Sequence, residues 1–156
     1  MVPNCILDIH WVWHVHMLAP VSYNKEFTKR FGKVINHKVW DLRSLELKRI
    51  TTKKIWNKKY PSEPFDPANQ IDETYNFESV FDYDIAEAVQ RQKVFYYQVS
   101  LPHYRHSDFL AGAIRRYKMF LYLKSLYSDE FLVPCYDMDI CWHTHQIQVI
   151  PDSKNF

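Results

Sequence analysis

Glycine is nearly absent from this chain, with 2 residues among 156. Because the tight turns of β-hairpins depend on glycine, this shortage argues against a sheet and favours helices joined by polar, proline-marked loops. Cysteine is also scarce, and its 3 residues are odd in number and too few for a disulfide framework. The thiols are therefore predicted to be reduced, as expected of a cytoplasmic protein.

Charge of one sign and long apolar runs are missing as well. The chain has 20 basic and 18 acidic residues, so its net charge of +2 gives no electrostatic reason to bind nucleic acid or a membrane surface. No apolar run reaches the roughly 18 residues that a membrane-spanning helix requires, and no secretory signal is visible. A glycine-rich phosphate loop, a GxSxG elbow and an HExxH motif are all absent. The sequence thus assigns no catalytic residues and indicates a non-catalytic protein that binds neither membranes nor nucleic acid.

Apolar and aromatic side chains are abundant, at 47% and 17% of the residues, which is enough to form a core. Apolar spacing typical of helices occurs over 5–18, 21–35, 39–60, 82–99, 107–127 and 134–149. Prolines between 61 and 79 predict a loop. We predict an all-α fold, with one domain over residues 1–156 built from five to six helices.

Two features refine these predicted helices. Asp82 or Asp84, and Ser107, are predicted N-caps because their side chains accept hydrogen bonds from first-turn amides. The helix over 39–60 carries many Lys and Arg residues, too many to bury. That helix is therefore predicted to be peripheral.

A nine-residue pattern occurs twice, once near each end of the chain. The first motif, Asp8-Ile-His-Trp-Val-Trp-His-Val-His16, recurs as the second motif, Asp137-Met-Asp-Ile-Cys-Trp-His-Thr-His145. Both copies have Asp at the first position, Trp at the sixth, and His at the seventh and ninth. Because Trp and His are rare residues, the match indicates a duplicated structural unit, an internal pseudo-repeat.

Most motif positions are predicted to be structural. Asp8 and Asp137 precede apolar runs and are predicted to cap their helices. Trp13 and Trp142 are predicted to be largely buried, since an indole covers much apolar area, and the two motif helices are expected to pack against each other. The structural positions are therefore Asp8, Trp13, His16, Asp137, Trp142 and His145.

Imidazole and carboxylate groups in the motifs also have the spacing of one helix face. His10 and His14 are four residues apart, as are Asp139 and His143 at the equivalent positions of the second motif. If the two helices pack about a pseudo-two-fold axis, these four residues converge into an N₃O set that suits Zn²⁺ or another divalent transition metal. The alternative is structural: each buried His is satisfied by a carboxylate or a backbone carbonyl, and Asp139 and His143 form a simple hydrogen-bonded pair.

Six segments of the chain carry a family resemblance. They are Trp11-Val-Trp-His-Val-His-Met-Leu-Ala-Pro-Val-Ser-Tyr23, Ile55-Trp-Asn-Lys-Lys-Tyr-Pro-Ser-Glu-Pro-Phe65, Tyr83-Asp-Ile-Ala-Glu-Ala-Val-Gln-Arg-Gln92, Phe95-Tyr-Tyr-Gln-Val-Ser100, Arg116-Tyr-Lys-Met-Phe-Leu-Tyr-Leu123 and Val133-Pro-Cys-Tyr-Asp-Met-Asp-Ile-Cys-Trp-His-Thr-His-Gln146. With these segments the chain resembles the glycine-rich domain-containing proteins of plants and fungi, in their conserved helical domain of unknown function. The resemblance implies an intracellular, mostly helical domain from proteins linked to development and stress responses, with no established catalytic activity.

The chain departs from the family pattern at three points. The family has a helix with an Arg-Tyr pattern before the first motif, as Arg116-Tyr117 precedes the second, and this chain lacks it. The chain stops at Phe156, before the usual continuation, and has no glycine-rich tail, so the domain is predicted to be truncated at both ends relative to the family. Position 10 is His where the family more often has an acid, which leaves the ligand set of a metal site open.

The missing helix bears on partners. The helix over 107–127 is expected to cover the second motif, whereas the face with Ile9, Trp11 and Val12 has no such cover and would attract another surface. We therefore predict a non-catalytic protein-interaction domain that binds a protein partner or self-associates through residues 5–18. The alternative is that the helices over 21–60 fold back and cover this face. The alternative function is a His/Asp metal-binding protein or metalloenzyme that uses the two motifs.

Overall fold

The computed structural model describes residues 7–38, 40–66 and 79–148. Within these ranges the chain forms six α-helices, one 3-10 helix and no β-strand. The helices are α1 (Leu7–Met17), α2 (Pro20–Phe31), α3 (Leu42–Lys59), α4 (Ile85–Val99), α5 (Ser107–Leu126) and α6 (Tyr136–Gln148), with the 3-10 helix Pro102–Arg105 between α4 and α5. The predicted all-α class is confirmed. None of the described helices is long and apolar enough to cross a bilayer.

Local capping chemistry sets several helix ends. Asp84 caps α4 as predicted, and its carboxylate accepts a hydrogen bond from the Glu87 amide at 2.9 Å. Asp41 caps α3 in the same way through the Ser44 amide at 3.0 Å. This is why α3 begins just after Asp41 rather than near residue 39. The last turn of α2 closes at Gly32, whose φ of 70° is left-handed and suits glycine.

Two predicted caps are wrong. Ser107 is the first residue of α5, and His106 holds the cap position without a side-chain hydrogen bond. Asp137 is the second residue of α6, and its carboxylate pairs with Arg116 of α5 instead of capping its own helix. The side chain of Asp8 lies outside the described part of the structure.

The described start of the predicted loop over 61–79 contains no helix, and residues 67–78 lie outside the described ranges. The described residues of this loop pack against α3. Phe65 is 5% exposed and packs its ring against Trp56, with ring centres 6.1 Å apart. The Trp56 indole N–H also donates to the Glu63 carbonyl at 3.0 Å. A predicted polar loop therefore begins with a buried aromatic contact.

The described core forms where α1, α2 and α6 meet. Its buried cluster consists of Met17, Tyr23, Phe27 and Ile147. Around this cluster, α1 makes its most extensive contacts with α4, and α6 makes its most extensive contacts with α5. Because α4 also contacts α6, it connects the two motif helices.

The basic helix α3 lies apart from this packing. It makes only minor contacts with the other described helices. Its apolar residues Leu47, Ile50 and Ile55 are exposed. The prediction that this helix is peripheral is confirmed.

The two motif helices, α1 and α6, contact each other as predicted. His14 and its equivalent His143 meet at this contact, with ring centres 6.0 Å apart. The two indoles, however, are half-buried rather than largely buried. Trp13 lies on the wall of an open groove, and Trp142 packs against Phe120 of α5 with ring centres 5.7 Å apart. Each indole is covered by its own neighbours rather than by the other motif.

Candidate functional site

Four imidazoles gather where α1, α6 and the loop after α2 meet. This imidazole cluster consists of His10, His14, His37 and His143. The ring centres of His14 and His143 are 6.0 Å apart, and those of His10 and His37 are 5.7 Å apart. The cluster therefore joins equivalent positions of the two motifs with a residue from a loop.

Aromatic side chains enclose the centre of the imidazole cluster. Trp11 stacks on His14 with ring centres 5.6 Å apart, and Phe95 of α4 lies 4.2 Å from His143. Burial lowers the pKa of His14 and of His143 to about 4, and repulsion between neighbouring imidazoles adds to this effect. Burial also lowers the pKa values of the other two members. The rings of His14 and His143 are therefore uncharged at neutral pH.

A hydrogen-bond relay positions His37 in the cluster. The Trp13 indole N–H donates to the Tyr23 hydroxyl at 2.9 Å, and that hydroxyl donates to the Ile35 carbonyl at 2.5 Å. The relay ties the loop to α1, and the His37 ring lies 5.3 Å from the Trp13 ring. Sequence reasoning missed His37 because it lies outside both motifs, in a loop that no helical spacing relates to them.

Of the predicted metal ligands, the structure brings His143 close to His14 and to Asp139. Asp139 Oδ1 lies 3.6 Å from His143 Nε2, which is too long for a hydrogen bond, and burial raises the pKa of Asp139. His10 lies beside His37, and its imidazole would repel a charged His14. Within the described ranges, no three His, Cys, Asp or Glu side chains stand in the arrangement of a metal site. The four predicted ligands therefore do not form a metal-binding set in the described structure.

His16, the last residue of the first motif, is buried beside Glu26 of α2. Its Nε2 is 3.1 Å from Oε2 of Glu26 but is not aligned for a hydrogen bond, so the contact is electrostatic. The other carboxylate oxygen of Glu26 accepts from the Tyr83 amide at 2.8 Å, and the Tyr83 ring stacks on the imidazole. Burial lowers the pKa of His16 more than Glu26 raises it. These are the surroundings of a structural residue.

Helix α5 covers the second motif along its length. The three contacts are Arg116 with Asp137, Phe120 with Trp142, and Tyr117 with His145. The guanidinium of Arg116 donates from Nε to Oδ2 of Asp137 at 2.5 Å. The Tyr117 hydroxyl lies 2.9 Å from His145 Nδ1. The second motif therefore has a neighbour at its first, sixth and ninth positions.

An open apolar groove of about 490 Å³ runs along the first motif. On one side it is lined by Ile9, Val12, Trp13 and His16 of α1, and its other walls include Phe81 and Ile85. Ile9 is 45% and Val12 40% exposed, so the predicted uncovered face is present at these two residues. Trp11, which was also predicted to be uncovered, packs against Tyr96 of α4 at 5.3 Å. Folding back of α2 and α3 does not cover Ile9 and Val12.

Known proteins share the sequence of this helical unit. The family model for glycine-rich domain-containing protein-like sequences matches residues 22–151. The chain is 37% identical over 156 residues to "Glycine-rich domain-containing protein 1" of Arabidopsis thaliana. It is 39% identical over 153 residues to "Glycine-rich domain-containing protein 2" of the same plant. Each alignment covers 92% of this chain and 19% of the relative, so the chain spans about a fifth of the length of these relatives.

The family match includes the second motif and the α5 helix that covers it. No solved structure matches the chain. The matched length and the two relatives are sufficient for the assignment. The chain therefore belongs to the glycine-rich domain-containing protein-like family.

Proposed function

We propose that this chain is a non-catalytic helical protein-interaction domain, and that the groove beside α1 is its binding surface. The observation that carries the proposal is the exposure of Ile9 and Val12 on a motif helix whose counterpart is covered by α5. Single exposed apolar residues are normal on protein surfaces. A concave apolar groove with a volume of about 490 Å³ is instead typical of a binding site.

The duplicated motif indicates what the groove binds. Its α1 residues Ile9, Val12, Trp13 and His16 correspond in order to Met138, Cys141, Trp142 and His145 of α6. On α6 this face is covered by α5, which contacts the equivalent indole and the equivalent imidazole. Because the two faces share their Trp and His positions, we infer that the groove accepts an amphipathic helix of a partner protein.

The first position of the motif gives the partner helix one further expected property. Asp8 holds the sequence position of Asp137, and Asp137 pairs with Arg116 on the covering helix. A basic side chain on the partner helix would complement Asp8 in the same way. The partner segment is therefore expected to be apolar and aromatic on one face, with a basic residue at one end.

An intracellular setting is part of the proposal. Cys135 and Cys141 are both free thiols, and Cys135 is exposed. Exposed free thiols persist in reducing compartments and are uncommon in oxidising ones. The link to development and stress responses rests on the family resemblance.

A labelled peptide with the sequence of α5, residues 107–126, is the probe for this groove. Fluorescence anisotropy would measure its binding to the whole chain and to a Val12→Glu variant. The glutamate places a charge in the apolar groove, so binding should weaken at least about tenfold. Val94→Glu is the matched control, because Val94 is 57% exposed on α4 and does not line the groove.

Two outcomes would contradict the proposal. One is the absence of saturable peptide binding to the unaltered chain. The other is equal weakening by both glutamate variants, which would indicate non-specific adhesion to apolar surface. The groove could instead be filled by a second copy of the chain, and sedimentation at several concentrations tests this alternative. A dimer that is lost in the Val12→Glu variant would show that the groove serves self-association rather than binding of a partner helix.

A further inference from the structure

We propose that the exposed face of α5 is a dimer interface, on which the α5 helix of a second copy of this chain packs antiparallel about a two-fold axis. This α5 face consists of Met119, Tyr122, Leu123, Leu126 and Tyr127, which line an open concavity of about 750 Å³. The α5 face lies on a different helix from the groove beside α1, and the proposal is independent of that groove.

The apolar area of the α5 face is the first argument. Its five residues are between 43% and 67% exposed. Together they leave about 300–500 Å² of apolar area in contact with water, which is as large as the largest patch on a typical monomer. A dimer of standard size buries about 800 Å² on each chain, of which roughly 60% is apolar. The α5 face therefore supplies most of the apolar area that a stable dimer needs.

The spacing of the apolar side chains is the second argument. Met119, Tyr122 and Leu126 are separated by three and four residues, which places them in one stripe along α5. Stripes with this spacing interdigitate when two helices pack side by side at a small angle. Tyr117 and Phe120, which contact α6, are buried. A second helix can therefore pack on the α5 face while α5 keeps its contacts with α6.

Charge complementarity is the third argument, and it selects a second copy of the chain as the occupant. In an antiparallel pair of α5 helices with the two-fold axis between Tyr122 and Leu123, Met119 lies opposite Leu126 of the second copy. Arg115 then lies opposite Glu130 of the second copy. Both charged residues are exposed, and neither forms an ion pair with another described residue. Because each contact of a two-fold interface occurs twice, the dimer would gain two such pairs.

Lys118 supports the same alignment of the two helices. It lines the concavity and lies opposite Tyr127 of the second copy in this arrangement. An ammonium group over an aromatic ring is attracted by the ring electrons, so this contact is favourable and also occurs twice. A parallel pair of helices would instead place each charged residue opposite its own copy. The α5 face is thus complementary to itself only in the antiparallel arrangement.

Sedimentation equilibrium of the whole chain at several concentrations tests the proposal. We expect the mass to rise with concentration from 18.9 kDa, the mass of one chain, towards twice that value. Tyr122→Glu places a charge at the centre of the interface and should weaken dimerisation at least about tenfold. Leu47→Glu is the matched control, because Leu47 is similarly exposed, at 62%, on α3 and its replacement should leave the dimer unchanged. Circular dichroism would show that both variants are folded.

An exchange of charges tests the two-fold arrangement without changing the apolar residues. Arg115→Glu and Glu130→Arg each create two pairs of like charges in the dimer, and each should weaken dimerisation at least about threefold. The double variant restores opposite charges across the interface, so it should recover most of the lost affinity. A double variant that dimerises more weakly than either single variant would contradict the antiparallel arrangement.

Two outcomes of the sedimentation experiment would overturn the proposal. One is a chain that keeps the mass of a monomer at every concentration, which would leave the α5 face to a different protein. The other is a dimer that Val12→Glu dissociates and Tyr122→Glu does not, because that dimer would use the groove beside α1. Val12→Glu is expected to leave the α5 dimer intact, and Tyr122→Glu is expected to leave peptide binding in the groove intact. Failure of this proposal and failure of the proposed function are therefore distinguishable.

Discussion

At the scale of single residues, the same residue type has different surroundings in the two copies of the motif. His16 and His145 occupy the ninth position of their motifs. His16 lies against Glu26 of α2, whereas His145 lies against the Tyr117 hydroxyl of α5. The motif therefore sets the identity of the side chain, and the neighbouring helix sets what it pairs with.

Tyr23 illustrates how one hydroxyl positions a distant loop. Tyr23→Phe would leave the Trp13 indole N–H and the Ile35 carbonyl without their shared partner. We expect a loss of about 1–3 kcal/mol in the free energy of unfolding, because buried polar groups that lose a partner are costly. Urea denaturation measures it. Tyr97→Phe is the control, because Tyr97 is 65% exposed and this variant should unfold like the unaltered chain. Equal urea midpoints for the two variants would contradict the relay.

The imidazoles of His14 and His143 predict that the folded protein loses stability in acid. Burial lowers the pKa of His14 and of His143 from the ordinary 6.5 to about 4 in the folded state, so the unfolded chain takes up protons first. Stability should therefore fall as the pH is lowered from about 6.5 towards 4. His10 and His37 act in the same direction, whereas the raised pKa of Asp139 offsets part of the loss.

Urea midpoints at about pH 7, 6 and 5 would measure this loss. The change of the urea midpoint with pH should be smaller in the His143→Gln variant and unchanged in the His103→Gln variant. A midpoint that does not move between pH 7 and pH 5 would contradict the neutral, buried state of the cluster.

At the scale of helices, the α5–α6 pair is held by a charge pair with unequal partners. The side chain of Asp137 is 11% exposed, whereas that of Arg116 is 45% exposed. Loss of Arg116 would leave a buried carboxylate without a counter-charge, but loss of the carboxylate leaves a guanidinium that water can still solvate. The two helices therefore depend more on the arginine than on the aspartate.

This asymmetry gives a direct prediction for two variants. Arg116→Leu should lower the free energy of unfolding by about 1 kcal/mol or more beyond the effect of Asp137→Asn. Thermal or urea unfolding would measure both. Arg91→Leu is the control, because its pair with Glu87 is exposed on α4 and should contribute little. A larger effect of Asp137→Asn would show that the arginine, and not the carboxylate, is the group that needs the pair.

At the scale of the whole molecule, apolar spacing and capping chemistry predicted the helices well. The predicted segment over 107–127 became α5 almost unchanged, and Asp84 capped α4 as its chemistry indicates. Contacts between segments that are distant in the sequence could not be predicted in this way. His37 lies in a loop that Tyr23 ties to α1, and no spacing rule relates such residues. The half-burial of Trp13 likewise depends on α4 and α2 leaving the groove open.

The uneven packing of the helices predicts uneven dynamics. Helices α3 and α5 have similar lengths, 18 and 20 residues, yet α5 packs extensively on α6 while α3 makes only minor contacts with the other described helices. Amide protons exchange through local opening, and a helix without buried tertiary contacts opens at low free-energy cost. Hydrogen exchange followed by mass spectrometry should therefore show faster exchange in peptides from α3 than in peptides from α5. The Asp41 cap and the contact between Trp56 and Phe65 would keep α3 helical without joining it to the core. Equal protection of the two helices would mean that α3 is held by a surface that the described contacts do not include.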